Sequence, residues 1–352
     1  DDEFLACKEF GLELDSPNPH LLSHTVDEIS ILKKVQGEPN FLTYHVLLYL
    51  AYSNSLWLVT EFVDCGDMAD LMNSVGGLTG KEVKAVTVQV SNGLQRLHSS
   101  GILHADIKPA NLLLSSAGIV KIIDFELSFE LDSTSYSTRW ARQAGTAPYM
   151  APEMFPDDIF DYAMAYNSDK GKEYILDEGK SITFGFGIDI WALGISMLEL
   201  LYGANVMLGQ IMRGTFIDAD FIYRSKILLQ TGELSTDPKQ NMARFADHYH
   251  QQRFGINLAY KEPRRISRGL KRDKQLVDLL FRRCLDINPE TRATAQQICS
   301  LPFVVDILGS RFNKDNDLCH PDTSLSLAAS KSATTLRKLI NRAQNPSSCS
   351  PV

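Results

Sequence analysis

Apolar and polar positions follow one rhythm up to about residue 62 and another beyond it. Phe4–Phe10 is a strand-like run that carries two charges, Lys8 and Glu9. Over Thr25–Val35 the apolar residues are Ile29, Ile31, Leu32 and Val35, a spacing that predicts an amphipathic helix. Leu42–Tyr52 and Leu56–Phe62 are rich in Leu, Val, Tyr and Trp, and Ser53-Asn54-Ser55 separates them, which predicts a hairpin. After Phe62, residues Val83, Val86, Val90, Leu94 and Leu97 recur at intervals of 3, 4, 4 and 3, one face of a helix. Thr79 and Glu82 form a capping box at its start, Leu78 and Val83 can staple it, and Gly101 stands where a C-terminal cap belongs.

Residues 111–114 and 118–123 predict two short strands around Ser-Ser-Ala-Gly. Asp189–Tyr202 is apolar almost all round, so it predicts a helix in the middle of a domain. Helical patterns return at 274–286 and 293–300. From about Arg311 the texture turns to Ser, Thr, Asn and Pro, and a disordered tail is the expectation. The alternative within it is a short basic docking helix, with Leu336, Leu339 and Ile340 beside Arg337, Lys338 and Arg342. No internal repeat is present. The pattern therefore gives a small strand-rich part and a larger helical part, joined around Glu61–Asp67.

Composition narrows the function classes. The chain has 352 residues, 44% hydrophobic and 22% charged, enough for a sizeable core without disulfide or metal staples. A net charge of −8 argues against phosphate neutralisation on nucleic acid and against a polybasic membrane surface. No apolar run approaches the roughly 18–20 residues that span a bilayer. Asp1-Asp2-Glu3 is unlike the basic start of a signal peptide. Cys7, Cys65, Cys284, Cys299, Cys319 and Cys349 make no Cys-x-x-Cys pair. A reduced, cytoplasmic protein, with the nucleus as the alternative, is the expectation.

The chemistry is concentrated in His104-Ala105-Asp106-Ile107-Lys108-Pro109-Ala110-Asn111, followed 13 residues later by Asp124-Phe125-Glu126. Gly145-Thr146-Ala147-Pro148-Tyr149-Met150 and Ala151-Pro152-Glu153 come next. In this order and spacing the set resembles the eukaryotic protein kinase family over about residues 4–308. The resemblance implies an α+β, bilobal protein-kinase-like fold. Its parts would be a partial N-lobe over 1–62, a C-lobe over 63–308 with inserts near 155–186 and 205–265, and the tail over 309–352.

Phosphoryl transfer needs a divalent metal on the phosphates, a carboxylate to orient the attacking hydroxyl, and a cation nearby. By resemblance Asp106 is the catalytic base, Lys108 reaches the transferring phosphate, and Asn111 and Asp124 hold Mg2+ with hard oxygens. Ala6-Cys7-Lys8 resembles the Ala-x-Lys of the third kinase strand, and Glu28 would pair with Lys8 to clamp the ATP phosphates. Thr25-x-x-Glu28 also reads as a capping box, but Glu28 lies on the face of Ile31, Leu32 and Val35, which favours the pair. The run Leu58–Asp67 resembles the hinge: the backbone of Glu61 and Val63 would bond adenine, Thr60 would be the gatekeeper, Asp67 would meet the ribose, and Leu113 would floor the pocket. Thr146 would hydrogen-bond near Asp106 and Lys108. Glu153 would pair with Arg292, and Asp189 would brace the catalytic loop. Lys108 points to serine/threonine rather than tyrosine kinases.

Four departures qualify the resemblance. No glycine-rich loop precedes Lys8, so a truncated gene product is the expectation. His-Arg-Asp is His-Ala-Asp here, and Arg142 occupies the position four before Thr146 where a phosphosite often lies, so activity independent of phosphorylation there is expected, with Ser133, Ser137 and Thr138 as other sites. Asp-Phe-Gly is Asp-Phe-Glu, which adds a carboxylate beside the metals. From Glu153 to Asp189 is 36 residues, longer than usual, and that insert is acidic. The leading reading is an active serine/threonine kinase acting on protein substrates with ATP and Mg2+. The alternative is a pseudokinase scaffold, and a partner for the C-terminal tail is a further expectation.

Overall fold

A computed structural model describes residues 4–12, 19–131, 145–146, 149–154, 185–202, 273–286, 289–308 and 330–344. Residues 155–184 of the insert near 155–186, the insert near 205–265, Arg142, Ser133, Ser137 and Thr138 lie outside the described residues. The chain divides into two compact units, one of Asp1–Gly76, Lys81–Glu130 and Ala295–Val352, the other of Gly77–Gly80 and Leu131–Thr294. The first unit therefore runs through the expected 62/63 boundary and takes in the tail.

The first unit opens on a three-stranded antiparallel sheet of order β1-β3-β2. Its strands are β1 (Leu5–Gly11), β2 (Tyr44–Leu50) and β3 (Ser55–Glu61). Lys8 pairs with Leu58 across the sheet, and Leu5 with Glu61. Asn54, at φ 46°, turns β2 into β3 in the left-handed region that asparagine tolerates. Between β1 and β2 runs α1 (Pro19–Lys34), six residues longer at its start than the apolar spacing suggests. Pro19 at the first helical position supplies the start signal, because its fixed φ suits a helix and its missing N–H costs nothing there. Thr25 is thus inside the helix, and the capping-box account of Glu28 does not hold.

Helices α2 (Met68–Val75) and α3 (Gly80–Ser99) follow. Val83, Val86, Val90, Leu94 and Leu97 of α3 are fully buried, as their spacing predicts. So are Thr87, one turn after Val83 on the same face, and Gln89 on another face of α3. Two small ladders come next: β4 (Ile102–Leu103) with β7 (Phe129–Glu130), and β5 (Leu112–Leu114) with β6 (Val120–Ile122). Phe41 bridges to Ile122 in parallel and Asp67 to Leu113 in antiparallel sense, so the chain near 41 and near 67 is tied to the second hairpin.

In the second unit, α4 (Gly187–Tyr202) is buried along its length, with Ile190, Leu193, Met197 and Leu200 inaccessible. Gly194 allows the close approach of the π-turn Leu279–Cys284 that extends α5 (Lys274–Asp278): a Cβ there would stand 2.7 Å from Leu285 and 2.8 Å from Cys284. Arg292 grips Glu153 through two nitrogens at 2.6 and 3.1 Å, donates to the Gly187 carbonyl, and lies over the Trp191 ring. Asp189 is fully buried in α4.

Helices α6 (Ala295–Cys299) and α7 (Pro302–Leu308) return the chain to the first unit, where Val304 joins Val88 and Ile119 in one apolar cluster. The expectation of a disordered tail does not hold for its described residues, 330–344. Lys331–Gln344 is a helix, α8, packed on α2 and α7. Ser330 caps it, its hydroxyl accepting the Ala333 N–H at 3.2 Å. Ala333, Leu336 and Leu339 are inaccessible and Ile340 is nearly so. Composition misled because three apolar side chains at helical spacing suffice once a ready-made surface receives them. The surface that takes the basic docking helix belongs to its own chain.

Candidate active site

The segment 104–111 is held by its own polar groups. Ala105 adopts φ 66°, a left-handed conformation that costs an L-residue ~1–2 kcal/mol. That twist lets the Asp106 N–H donate to His104 Nδ1 at 3.2 Å. With Nδ1 accepting, the His104 proton sits on Nε2, which faces the Ile123 carbonyl at 3.1 Å. Ser128 Oγ donates to the His104 carbonyl at 2.9 Å, and the His104 ring lies 5.2 Å from that of Phe125. The loop is therefore fastened to the backbone just before Asp124.

Asp106 is buried, and its Oδ2 accepts from Lys108 Nζ at 2.6 Å and from Asn111 Nδ2 at 3.0 Å. The same Asn111 nitrogen donates to the Asp106 carbonyl at 2.9 Å, and the Ile123 N–H donates to the Asn111 carbonyl at 3.1 Å. With its amide nitrogen so engaged, Asn111 keeps Oδ1 as a hard oxygen donor. Pro109–Asn111 is a single 3-10 turn that sets this spacing.

A second group forms beside it. Lys8 Nζ contacts Glu28 Oε2 at 2.9 Å and Oε1 at 3.1 Å, and Asp124 Oδ1 at 3.3 Å. Asp124 stands at φ 67°, another left-handed position. Glu28 is buried, and burial pushes its carboxyl above the ordinary value; Lys8 opposes this, while the charges of Asp124 and Glu126 add to it. Burial alone would lower Lys8, but Glu28 and Asp124 outweigh it and hold the ammonium above its ordinary value. Both directions have one origin. Glu28 and Asp124 share one lysine and the Glu126 charge acts on Glu28, so the locality favours added positive charge.

Of the remaining residues singled out in the sequence, Val63 is buried and Leu113 half-buried, paired with Lys121 in β5–β6 and bridged to Asp67. The Cys65 N–H bonds the Leu114 carbonyl and the Leu114 N–H bonds Gly66, which fixes the 63–67 segment against β5. Asp67 Oδ1 caps α2, accepting from Ala69 and Asp70 N–H at 2.9 Å each. Thr60 is buried at the end of β3. Thr146 belongs to the second unit, where its carbonyl accepts the Tyr149 N–H at 2.9 Å. The structure thus brings six residues together within the first unit: Lys8, Glu28, Asp106, Lys108, Asn111 and Asp124.

Sequence reading missed Lys121. It bonds Glu61 Oε1 at 2.7 Å and the Phe41 carbonyl at 2.9 Å. Burial would raise the Glu61 carboxyl, but Lys121 and the Thr43 N–H outweigh it, leaving it below the ordinary value. The signal was a lone lysine in the apolar run Ile119-Val120-Lys121-Ile122-Ile123.

The model of the protein kinase domain family matches residues 1–304. The chain belongs to the protein kinase domain family. Misshapen-like kinase 1 of Rattus norvegicus is 32% identical over 183 residues, 50% of this chain and 12% of that protein. Serine/threonine-protein kinase mig-15 of Caenorhabditis elegans is 32% identical over 184 residues, 50% of this chain and 15% of that protein. Human Cyclin-dependent kinase-like 2 is 27% identical over 327 residues, 88% of this chain and 55% of that protein. The chain therefore spans about an eighth to about half of the curated relatives it matches. Membership implies, in general terms, ATP, a divalent metal and protein substrates. Among the described residues of this kinase domain, no helix is long and apolar enough to cross a membrane.

The donor set fits such a metal. Among the described residues no three or more of His, Cys, Asp and Glu gather as a metal cage. Mg2+ does not need one, since it takes one or two protein oxygens and completes its shell with water and substrate phosphate. Asn111 Oδ1 and the Asp124 carboxylate are oxygens of that kind.

Proposed function

We propose that this kinase domain transfers the γ-phosphoryl group of ATP to serine or threonine hydroxyls of proteins. The observation that carries the reading is the pair of adjoining clusters, Asp106-Lys108-Asn111 and Lys8-Glu28-Asp124, within one compact unit. Asp106, positioned by Lys108 and Asn111, orients the attacking hydroxyl through its carboxylate and takes its proton. Lys108 steadies Asp106 and offers positive charge to the transferring group. Lys8, held by Glu28, binds phosphate oxygens. Asn111 and Asp124 would hold Mg2+, which when bound neutralises phosphate charge. The backbone of Glu61 and Val63 takes adenine over Leu113, and the Asp67 oxygen not used by the α2 cap meets the ribose.

Lys108 after the base supports serine/threonine over tyrosine specificity. The cytoplasm, with the nucleus as alternative, is supported by the free thiols of Cys7, Cys65, Cys284 and Cys299. One observation favours the second reading, a nucleotide-binding scaffold without transfer: Glu126 replaces the family glycine, and its charge is felt at Glu28. The test is incubation with Mg2+, labelled ATP and mixed basic proteins beside Asp106→Asn. Label that depends on Asp106 is expected on substrate serine or threonine. Equal label with both chains ends the reading, and a Mg2+·ATP thermal shift without transfer supports the scaffold.

A further inference from the structure

The helix α8 lies beyond the residues matched by the family model, yet it is built into the unit that carries the site. Its contacts reach backbone level. Gly118, in the β5–β6 turn at φ 78°, faces the Ala333 carbonyl so closely that a Cβ would lie 2.2 Å from that oxygen. Ser332, fully buried, accepts from Gln89 Nε2 at 3.2 Å. The same Gln89 nitrogen donates to the Gly118 carbonyl at 2.9 Å, and Gln89 Oε1 accepts the Val120 N–H at 2.9 Å. Arg342 pairs with Glu82 on α3 at 3.1 Å and Arg337 reaches the Ala117 carbonyl at 3.4 Å.

From Val120 the linkage continues along β6. Asn40 Nδ2 donates to the Val120 carbonyl at 2.8 Å, and the Asn40 carbonyl accepts the Ile122 N–H at 2.8 Å. Asn92 Nδ2 holds Asn40 Oδ1 at 2.9 Å. Two residues after Ile122 stands Asp124. Both ends of the Gln89 and Asn40 side-chain amides are engaged, and such a network is stiff because losing one bond leaves a buried group unsatisfied.

We propose that α8 is a positioning element of the kinase site: seated on the Gly118 turn, it fixes β6 through Ser332 and Gln89, and so fixes where Asp124 stands. The consequence for metal and nucleotide rests on the function proposed above. The hold on β6 does not.

The test uses the full chain and Leu336→Asp, which puts a charge into the buried seat of α8. Amides of 331–344 should exchange ~100-fold faster and those of Val120 and Ile122 ~10-fold faster. The Mg2+ concentration giving half-maximal ATP binding should rise about fivefold, in line with loss of support behind a metal ligand. Ser332→Ala is the milder variant, and it carries the test if Leu336→Asp does not fold. It should leave α8 seated and speed exchange at Val120 about threefold. Release of α8, or loss of the Ser332 hydroxyl, with Val120, Ile122 and the Mg2+ requirement unchanged overturns the proposal, because a merely structural helix lowers only the melting temperature. If the unaltered chain binds no Mg2+·ATP, the functional reading falls, and exchange at Val120 and Ile122 alone decides the positioning role.

Discussion

The two clusters of the site differ in how they are balanced. Around Asp106 the groups satisfy one another: Lys108 and Asn111 occupy one carboxylate oxygen, and His104 fixes the backbone behind it. Around Lys8 they do not, since Glu28, Asp124 and the nearby Glu126 outnumber the single ammonium. The first cluster is set for a geometric task before anything binds. The second carries a charge excess that a divalent cation would correct. Preorganisation and hunger for a ligand thus sit side by side, assigned to different residues.

The contrast can be broken at several points. The largest effect is expected for Asp106→Asn, which keeps the shape of the closed cluster but removes the base. Transfer should fall by ~100–10,000-fold while ATP affinity stays within about twofold, read by steady-state kinetics beside nucleotide titration. Asp124→Asn acts on the open cluster instead. The Mg2+ needed for half-maximal binding of ATP should rise ~10–100-fold, and a chain indifferent to this change would have its metal elsewhere.

Glu28→Gln should raise the KM for ATP about tenfold, because Lys8 loses its anchor. Global stability should change by less than ~1 kcal/mol, since Lys8 is 41% exposed and water screens the pair. The smallest effect belongs to Lys121→Met. The Glu61 carboxyl is held below its ordinary 4.5, so its contribution to stability is complete above that pH and is lost as pH falls through the lower folded value. In urea titrations the unaltered chain should lose ~1 kcal/mol over that window, and Lys121→Met should lose less. Parallel pH curves for the two chains would dissociate Glu61 from Lys121.

Local periodicity made most short elements legible. The hairpin around Asn54, the apolar face of α3 and the all-apolar α4 follow from spacing alone. The six clustered site residues were legible for a different reason, because phosphoryl chemistry demands fixed residue types in a fixed order. What stayed hidden depends on partners distant in sequence. Gln89 looks like a solvent-facing position of an amphipathic helix, yet it is buried and bonds Ser332, 243 residues away. Lys121 meets Glu61 across 60 residues. Asp67, expected at the ribose, also meets a local demand that the motif did not show, the N–H groups that open α2. The tail misled through composition, which records average polarity and not three apolar residues set on one helical face.

The division of the chain also bears on how it is made. The site-bearing unit joins Lys81–Glu130 to Ala295–Val352, with the second unit threaded between them. On a ribosome the residues of both clusters emerge before the helix that closes over Gly118 and Gln89. Domains generally form as units during synthesis, and contacts of long sequence separation form slowly. The site-bearing unit therefore waits, uncapped, for α8, and a nascent chain paused before residue 331 holds the residues of both clusters without the helix that closes over Gly118.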